Sequence, residues 1–196
     1  DLDLAVVLAR EVARAPIPLV LGARNNYSAC LPVEASYPRV RAEMIRRLYP
    51  RAELVIGVSQ GVCDDLVANF GVRPERSLAI PNPLDLPRLR ARADEPVDHP
   101  WFAERDRIPV VVNVGKLMPA KGHEDLLRAF RIVRDARPAR LIILGQGPLE
   151  TRLRELIDEL KLGDDVVMLG FKDNPYAYMT RSSLFVLSSH WESFPN

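Results

Sequence analysis

The stretch from Val110 to His123, VVVNVGKLMPAKGH, constrains the fold more than any other part of the chain. Pro109 precedes the β-branched residues Val110, Val111, Val112 and Val114. A short apolar run of this kind suits a strand buried on both faces, the habit of parallel sheets. Gly115 ends it. Lys116, a turn about Pro119, Lys121 and Gly122 follow, and a helix is predicted to open near His123. Strand, glycine turn, two lysines and helix start make an anion site, since backbone N–H groups and two ammonium groups face one place. At about 4 Å and an effective dielectric near 20, one lysine–phosphate pair contributes roughly 4 kcal/mol before desolvation. Two lysines therefore suit a diphosphate, with solvated loop charges as the alternative this stretch alone leaves open.

The residues that follow repeat the alternation. A helix is predicted over His123 to Arg137, with Leu126, Leu127, Phe130 and Val133 inward. Arg140 to Leu144 reads as a strand ending in Gly145-Gln146-Gly147-Pro148. Pro148 suits the first turn of a helix running to Leu160, with Leu153, Leu156, Ile157 and Leu160 as its stripe. Val166 to Leu169 is a strand closed by Gly170, Phe171 and Lys172, and Asn174 is placed to cap a helix from Pro175 to Arg181. Leu184 to Leu187 leads as a strand into Ser188, Ser189, His190, Trp191 and Glu192. Such alternation predicts an α/β fold with a doubly wound parallel sheet and right-handed crossovers.

Upstream, Leu2 to Arg14 has a helical pattern with Leu4, Val7, Leu8 and Val12 on one face, broken by Pro16 and Pro18. Ile17 to Leu21 reads as a strand, and Gly22 to Pro32 as a polar loop carrying Arg24, Asn25, Asn26 and Tyr27. Loops after parallel strands sit at the sheet edge where ligands bind, so these residues face a substrate or form an asparagine-rich turn. Tyr37 to Tyr49 is a second helix, with Val40, Met44, Ile45 and Leu48 as its stripe and Arg39, Arg41, Arg46 and Arg47 beside it. A basic amphipathic helix either rests on an anionic membrane surface or turns its stripe to a core, and both readings stay open. Glu53 to Val58 is a strand, Ser59 caps the helix Gln60 to Phe70, Gly71 ends it, and Leu78 to Ile80 is a short strand. The proline-rich, charged stretch from Pro81 to Pro109 is the linker candidate. The expected organisation is a partial first domain over residues 1–80, a hinge over 81–108 and a truncated second domain over 109–196.

Composition excludes several classes. A net charge of +1 does not fit a nucleic-acid binder. Cys30 and Cys63 form no metal or disulfide pattern and read as free thiols of a reducing compartment. No apolar run approaches the roughly 18 residues of a membrane span, and the start carries no signal-peptide pattern. The start at Asp1 and the stop at Asn196, directly after Trp-Glu-Ser-Phe-Pro, lead to the expectation of a fragment of a longer protein.

In a doubly wound sheet the loops at the carboxyl edge converge on one crevice. Here those loops are Gly115–Gly122, Gly145–Pro148, Gly170–Asn174 and Ser188–Asn196. Glycines let a ligand approach the backbone, lysines supply positive charge, and Glu192 accepts from hydroxyls. A diphosphate joined to a polyol, as in a nucleotide sugar, needs those three things. The dinucleotide fingerprint is incomplete, because Glu150 stands where a third glycine would follow Gly145-Gln146-Gly147. A Walker motif is absent too, since Lys121-Gly122 lacks the required order.

The motifs, taken together, resemble a known family. Gly115-Lys116-Leu117 with Lys121-Gly122-His123-Glu124-Asp125-Leu126-Leu127-Arg128-Ala129-Phe130 is similar to the "GRL…KG…LL.AF" segment of the group-1 (family-four) retaining glycosyltransferases of GT-B fold. Val58-Ser59-Gln60-Gly61-Val62 resembles their "VS.gv" helix start, and Ile80-Pro81-Asn82-Pro83-Leu84-Asp85 their "IPNPvD" hinge. Leu144 to Leu149 resembles "lvGdGP", Leu169-Gly170-Phe171 resembles "lGf", and Ser188 to Asn196 resembles "pS..EgfpnvllEA". The matches run in register from about Glu53 to Asn196, while the first fifty residues are similar in pattern alone.

The resemblance implies two Rossmann-like domains of a GT-B enzyme, here the end of the acceptor domain and most of the donor domain. It implies transfer of a sugar from a UDP- or GDP-linked donor to an acceptor hydroxyl by front-face displacement, with no cofactor and no metal. Lys116 stands where the family usually has arginine, and Lys121 where it has lysine, both on the donor diphosphate. Lysine at 116 keeps the charge and loses the bidentate fork. Glu192 matches the first glutamate of the E-x7-E motif, which bonds donor hydroxyls, and the second glutamate falls beyond Asn196. Gly115, Gly145 and Gly147 would approach the donor, Gly170 and Phe171 would lie near its base, and Ser193, Phe194 and Asn196 would line its sugar and phosphate. Arg24 and Asn25 fall near the place where relatives set a polar group facing the sugar. Bacterial polysaccharide or lipid-linked glycan is the expected product, made in the cytoplasm with peripheral contact to the inner membrane surface, and the isolated fragment is expected to be inactive. A non-catalytic nucleotide-sugar-binding module and another GT-B enzyme, such as a sugar-nucleotide epimerase, are the rival readings.

Overall fold

The computed structural model describes residues 2–103 and 108–194. They form two compact units, one running to Pro83 and including the segment from Trp191, the other Leu84–His190.

The first unit is built on a parallel sheet of β1 (Val20–Ala23), β2 (Leu54–Gly57) and β3 (Ser77–Ala79), in that order. Val20 pairs with Leu54, and Val55 with Ser77. The helices are α1 (Leu2–Ala13), α2 (Tyr27–Glu34), α3 (Pro38–Leu48) and α4 (Gln60–Phe70). Ser59 caps α4 by accepting from the Val62 N–H at 3.4 Å, and Gly71 ends it in the left-handed conformation. Leu4, Val7, Leu21, Ile45, Leu48, Val55 and Leu66 build the core. Cys30 and Cys63 are both buried and are not joined in a disulfide.

Several expectations for this unit need correction. Tyr27 to Pro32 is not loop but the body of α2, started by Asn26, whose side chain accepts from the Ala29 N–H at 3.0 Å. Tyr27, Cys30 and Leu31 fall on one face at helical spacing and are buried, which outweighs Pro32. The first strand begins at Val20 instead of Ile17, beyond Pro16 and Pro18. The apolar stripes are narrower than the pattern suggested, since Leu8, Val12 and Val40 are exposed.

The second unit holds α5 (Leu86–Ala93), α6 (Pro100–Ala103), β4 (Val110–Val114), α7 (His123–Ala136), β5 (Arg140–Leu144), α8 (Glu150–Glu159), β6 (Val166–Gly170), α9 (Tyr176–Arg181) and β7 (Leu184–Phe185). All strands are parallel, in the order β6-β5-β4-β7. Side chains of a strand alternate between faces, and β5 serves two cores this way. Leu141 and Ile143 join Leu127, Phe130, Leu153 and Leu156 of α7 and α8. Ile142 and Leu144 join Val110 and Val112, with Trp101, Phe102, Tyr178 and Met179 packed against them. Both faces of the sheet are therefore covered, as its unbroken apolar strands require.

In the expected hinge, Asp85 caps α5 by accepting from the Arg88 N–H at 3.1 Å, and residues 104–107 of that stretch lie outside the described residues. Val133 is exposed instead of inward. The last strand is two residues long, and the Asn113 side chain extends its join to β4 by donating to the Val186 carbonyl at 2.9 Å.

Candidate functional site

In the second unit the strand order turns back at β4, between β5 and β7. Ligands of such sheets bind outside the carboxyl ends of the strands at this reversal. Gly115 stands there, directly after β4, with exposed Lys116 beside it. The stem of Lys121 lies over the same glycine, since a Cβ on Gly115 would meet Lys121 Cγ at 3.6 Å and Cδ at 3.7 Å. Both lysines thus flank one glycine at the switch point. A 3-10 turn, Pro119–Lys121, returns the chain to α7, whose N-cap Gly122 has no side chain to occupy the first-turn N–H groups. Gly122 has φ +60°, and a Cβ on it would stand 2.2 Å from the Ser188 carbonyl oxygen. Glycine there lets the segment after β7 lie against the turn, held by Ser188 Oγ donating to the Lys121 carbonyl at 2.8 Å and the His190 N–H donating to the Ala120 carbonyl at 2.9 Å.

His123 begins α7 and is 1% exposed. Neither ring nitrogen has a hydrogen-bond partner among the described residues. Burial, and after it the Lys121 ammonium, push its pKa down to about 4. The ring is neutral at physiological pH and adds no charge beside the lysines.

Gly145 and Gly147 serve the loops before they serve a ligand. A Cβ on Gly145 would lie 1.8 Å from the Gly115 carbonyl oxygen, and one on Gly147 would lie 2.4 Å from that of Leu117. Their absence lets backbone meet backbone: Leu117 N–H donates to Gln146 O at 3.0 Å, Leu149 N–H to Leu117 O at 3.0 Å and Gly145 N–H to Gly170 O at 2.8 Å. The three loops after β4, β5 and β6 border a cleft of about 580 Å³, lined by Gly115, Lys116, Gly145, Gln146, Phe171, Lys172 and neighbours. Phe171 is 67% exposed, an apolar ring offered to whatever enters. Among the described residues no three His, Cys, Asp or Glu side chains gather as metal ligands.

The family model for glycosyl transferases group 1 matches residues 95–196, and the model for glycosyltransferase family 4 matches residues 2–88. The chain belongs to the group 1 glycosyl transferases. Over 180 residues it is 34% identical to a Campylobacter jejuni N-acetylgalactosamine-N,N'-diacetylbacillosaminyl-diphospho-undecaprenol 4-alpha-N-acetylgalactosaminyltransferase, covering 91% of this chain and 44% of that protein. It is 31% identical to an uncharacterized glycosyltransferase of Methanocaldococcus jannaschii, covering 90% of this chain and 44% of that protein. The chain thus spans less than half the length of these two relatives. Anabaena HepE, solved in complex with UDP-glucose, superposes with a TM-score of 0.71 at 24% identity, over 97% of this chain and 51% of that one. The fold is of GT-B type, as the sequence motifs implied.

The group 1 chain also uses residues that the motifs do not mark. Arg92 of α5 lines the cleft, and its Nη2 donates to the Asp173 carbonyl at 2.7 Å and to Asp173 Oδ2 at 2.5 Å. Asn174, expected as a cap, accepts from the Ala177 N–H at 3.4 Å and also donates to Arg92 O at 2.8 Å and Glu95 Oε2 at 2.7 Å. The wall of the cleft after β6 is thus pinned by α5. The signal was in the sequence: Asp85, a proline two residues on, and arginines at 90 and 92 are helix start and stop marks.

The remaining expected residues lie in the first unit. Arg24 and Asn25 line a cavity of about 420 Å³ at the end of β1. Ser193 Oγ accepts from the Asn26 N–H at 3.0 Å, Trp191 and Phe194 pack on the first core, and Glu192 is half-buried. Asn196 lies outside the described residues.

Proposed function

We propose that the full-length protein transfers a sugar from a nucleoside diphosphate to an acceptor hydroxyl, with retention of configuration. The carrying observation is the placement of Lys116 and the Lys121 stem about Gly115 at the strand-order reversal, above the uncapped start of α7. As the glycosidic bond to the donor breaks, negative charge grows on the departing diphosphate. Two ammonium groups and the first-turn N–H groups at that place would stabilise the charge as it grows. Phe171 would stack near the base, Gly145 and Gly170 would shape the wall behind it, and Gly147 would hold the loops in register. By the motif resemblance we assign hydrogen bonding to donor hydroxyls to Glu192, contact with the donor to Ser193, Phe194 and Asn196, and a polar role toward the sugar to Arg24 and Asn25.

This scheme uses neither metal nor cofactor. We take the donor as UDP- or GDP-linked and the product as bacterial polysaccharide or lipid-linked glycan. The Campylobacter relative's diphospho-undecaprenol acceptor and the basic helix α3 support that choice. No described helix is long and apolar enough to cross a membrane, and the enzyme would work in the cytoplasm against the inner membrane surface. The chain spans less than half the length of the Campylobacter and Methanocaldococcus relatives, and on its own it would be inactive. In the full-length enzyme, Lys121→Ala should cost about 2–4 kcal/mol of transition-state stabilisation, the range for losing one oxyanion donor. Turnover near that of the parent enzyme would rule out the assigned role.

A further inference from the structure

Asp173 stands two residues after Phe171 on the wall of the cleft in the second unit, and its side chain is 89% exposed. A carboxylate so exposed would ordinarily turn freely, yet Arg92 holds this residue twice. Arg92 Nη2 has two hydrogens; one goes to the Asp173 carbonyl at 2.7 Å and the other to Asp173 Oδ2 at 2.5 Å. The anchor is itself fixed. Asn174 Nδ2 donates to the Arg92 carbonyl at 2.8 Å, and Thr180 Oγ1 and Arg181 Nη1 donate to the Ala93 carbonyl at 3.0 and 3.1 Å. These carbonyls belong to the last turn of α5, which a helix leaves without partners of its own. With Oδ2 committed to Arg92, Asp173 Oδ1 keeps its lone pairs for a ligand. An exposed ion pair adds little to stability, so what this one supplies is orientation. Lys172, the preceding residue, lines the same cleft and brings a donor. The wall after Phe171 therefore offers a fixed acceptor beside a donor.

We propose that Asp173, positioned by Arg92, selects the nucleobase of the donor: its Oδ1 accepts the ring N–H of a base that carries a carbonyl on the next ring atom, and Lys172 donates to that carbonyl. Uracil, with N3–H between two carbonyls, and guanine, with N1–H beside one, present this edge. Cytosine and adenine carry an unprotonated nitrogen at the same place, whose lone pair would face that of the carboxylate. The assignment rests on the donor reading above and adds to it residues that no motif marks. Arg92 acts through Asp173 and is a positioning residue.

Titration calorimetry of the full-length protein with UDP, CDP, GDP, ADP and inorganic pyrophosphate tests it. UDP should bind about tenfold tighter than CDP, and GDP about tenfold tighter than ADP, the scale of one hydrogen bond to a charged group. Asp173→Asn should reverse the pyrimidine preference. Arg92 can then bond only the amide oxygen, so the amide N–H groups turn to the base, donate to N3 of CDP and meet the N3–H of UDP donor to donor. General damage at so exposed a side chain would weaken both nucleotides and would not exchange them. Arg92→Lys keeps the charge and loses the fork. It should bring the UDP to CDP ratio towards one, with pyrophosphate as the internal reference, and Asp173→Asn added to it should no longer favour CDP. Equal affinities for UDP and CDP in the parent protein, or a preference that survives both single substitutions, overturn the proposal. Pyrophosphate keeps the two ideas apart. If it and all the nucleotides bind alike, base selection fails and the donor reading stands. If neither it nor any nucleotide binds, the donor reading fails and this assignment falls with it.

Discussion

Acid should destabilise the second unit through one buried ring. His123 is 1% exposed, and both its nitrogens lack partners among the described residues. In the unfolded chain an imidazole takes its proton near pH 6.5. In the folded chain burial, reinforced by Lys121, holds that event down to about 4. Between the two pH values the unfolded state carries the proton and the native state does not, so stability falls as pH falls. Above about pH 6.5 the contribution is constant, and below about pH 4 it is fully lost. At about 1.4 kcal/mol per pH unit, the interval totals about 3 kcal/mol. A His123→Leu variant lacks this dependence while keeping an apolar side chain in the core. Urea unfolding at a series of pH values, on both proteins, isolates the term because the carboxylates common to both cancel. Trp101 fluorescence in a Trp191→Phe background reports on the second unit alone, since Trp101 and Trp191 belong to different units. The stability of the parent relative to the variant should drop by about 3 kcal/mol from pH 6.5 to 4. A difference that stays flat across that range would refute the reasoning.

Three further outcomes follow from the loops. Gly147→Ala places a Cβ 2.4 Å from the Leu117 carbonyl oxygen; overpacking of this kind costs about 1–3 kcal/mol, and chemical denaturation should show it with a weakened affinity for nucleoside diphosphate. Ser59→Ala removes the α4 cap and should cost about 1 kcal/mol, read as a lower urea midpoint at unchanged slope. Arg92→Ala unpins Asp173 from α5, so amide hydrogen exchange in residues 171–174 should quicken while β4 and β5 stay protected, and equal exchange in both proteins would count against the pinning.

The parts of the fold that could be read in advance are those where local chemistry and tertiary packing agree. Ser59 before an apolar helix and Gly71 after it mark α4 at both ends, and β5 shows the same residues in sequence and structure because its apolar run has no competing period. Misreadings arose where local signals conflict. Asn25, Asn26 and Pro32 look like a turn, yet Asn26 is the cap of α2 and Tyr27, Cys30 and Leu31 are its buried face. Val12, Val40 and Val133 fit a helical stripe but lie beyond the width that the core covers. For the candidate site, Gly115, Lys116 and Lys121 could be located from strand, turn and helix order alone. The duty of Gly145 and Gly147 could not, because a glycine that admits a neighbouring loop and one that admits a ligand look the same in sequence. Arg92 was hidden for a related reason, its proline-rich surroundings resembling a connector while its side chain binds the Asp173 loop.

The central claim is that Lys116 and Lys121 together hold a donor pyrophosphate over Gly115. A crystal of the full-length protein grown with UDP or GDP tests it directly. The account predicts both phosphates at the carboxyl end of β4, within hydrogen-bond reach of the two ammonium groups and the first turn of α7. Phosphates bound elsewhere, or touching neither lysine, would contradict it.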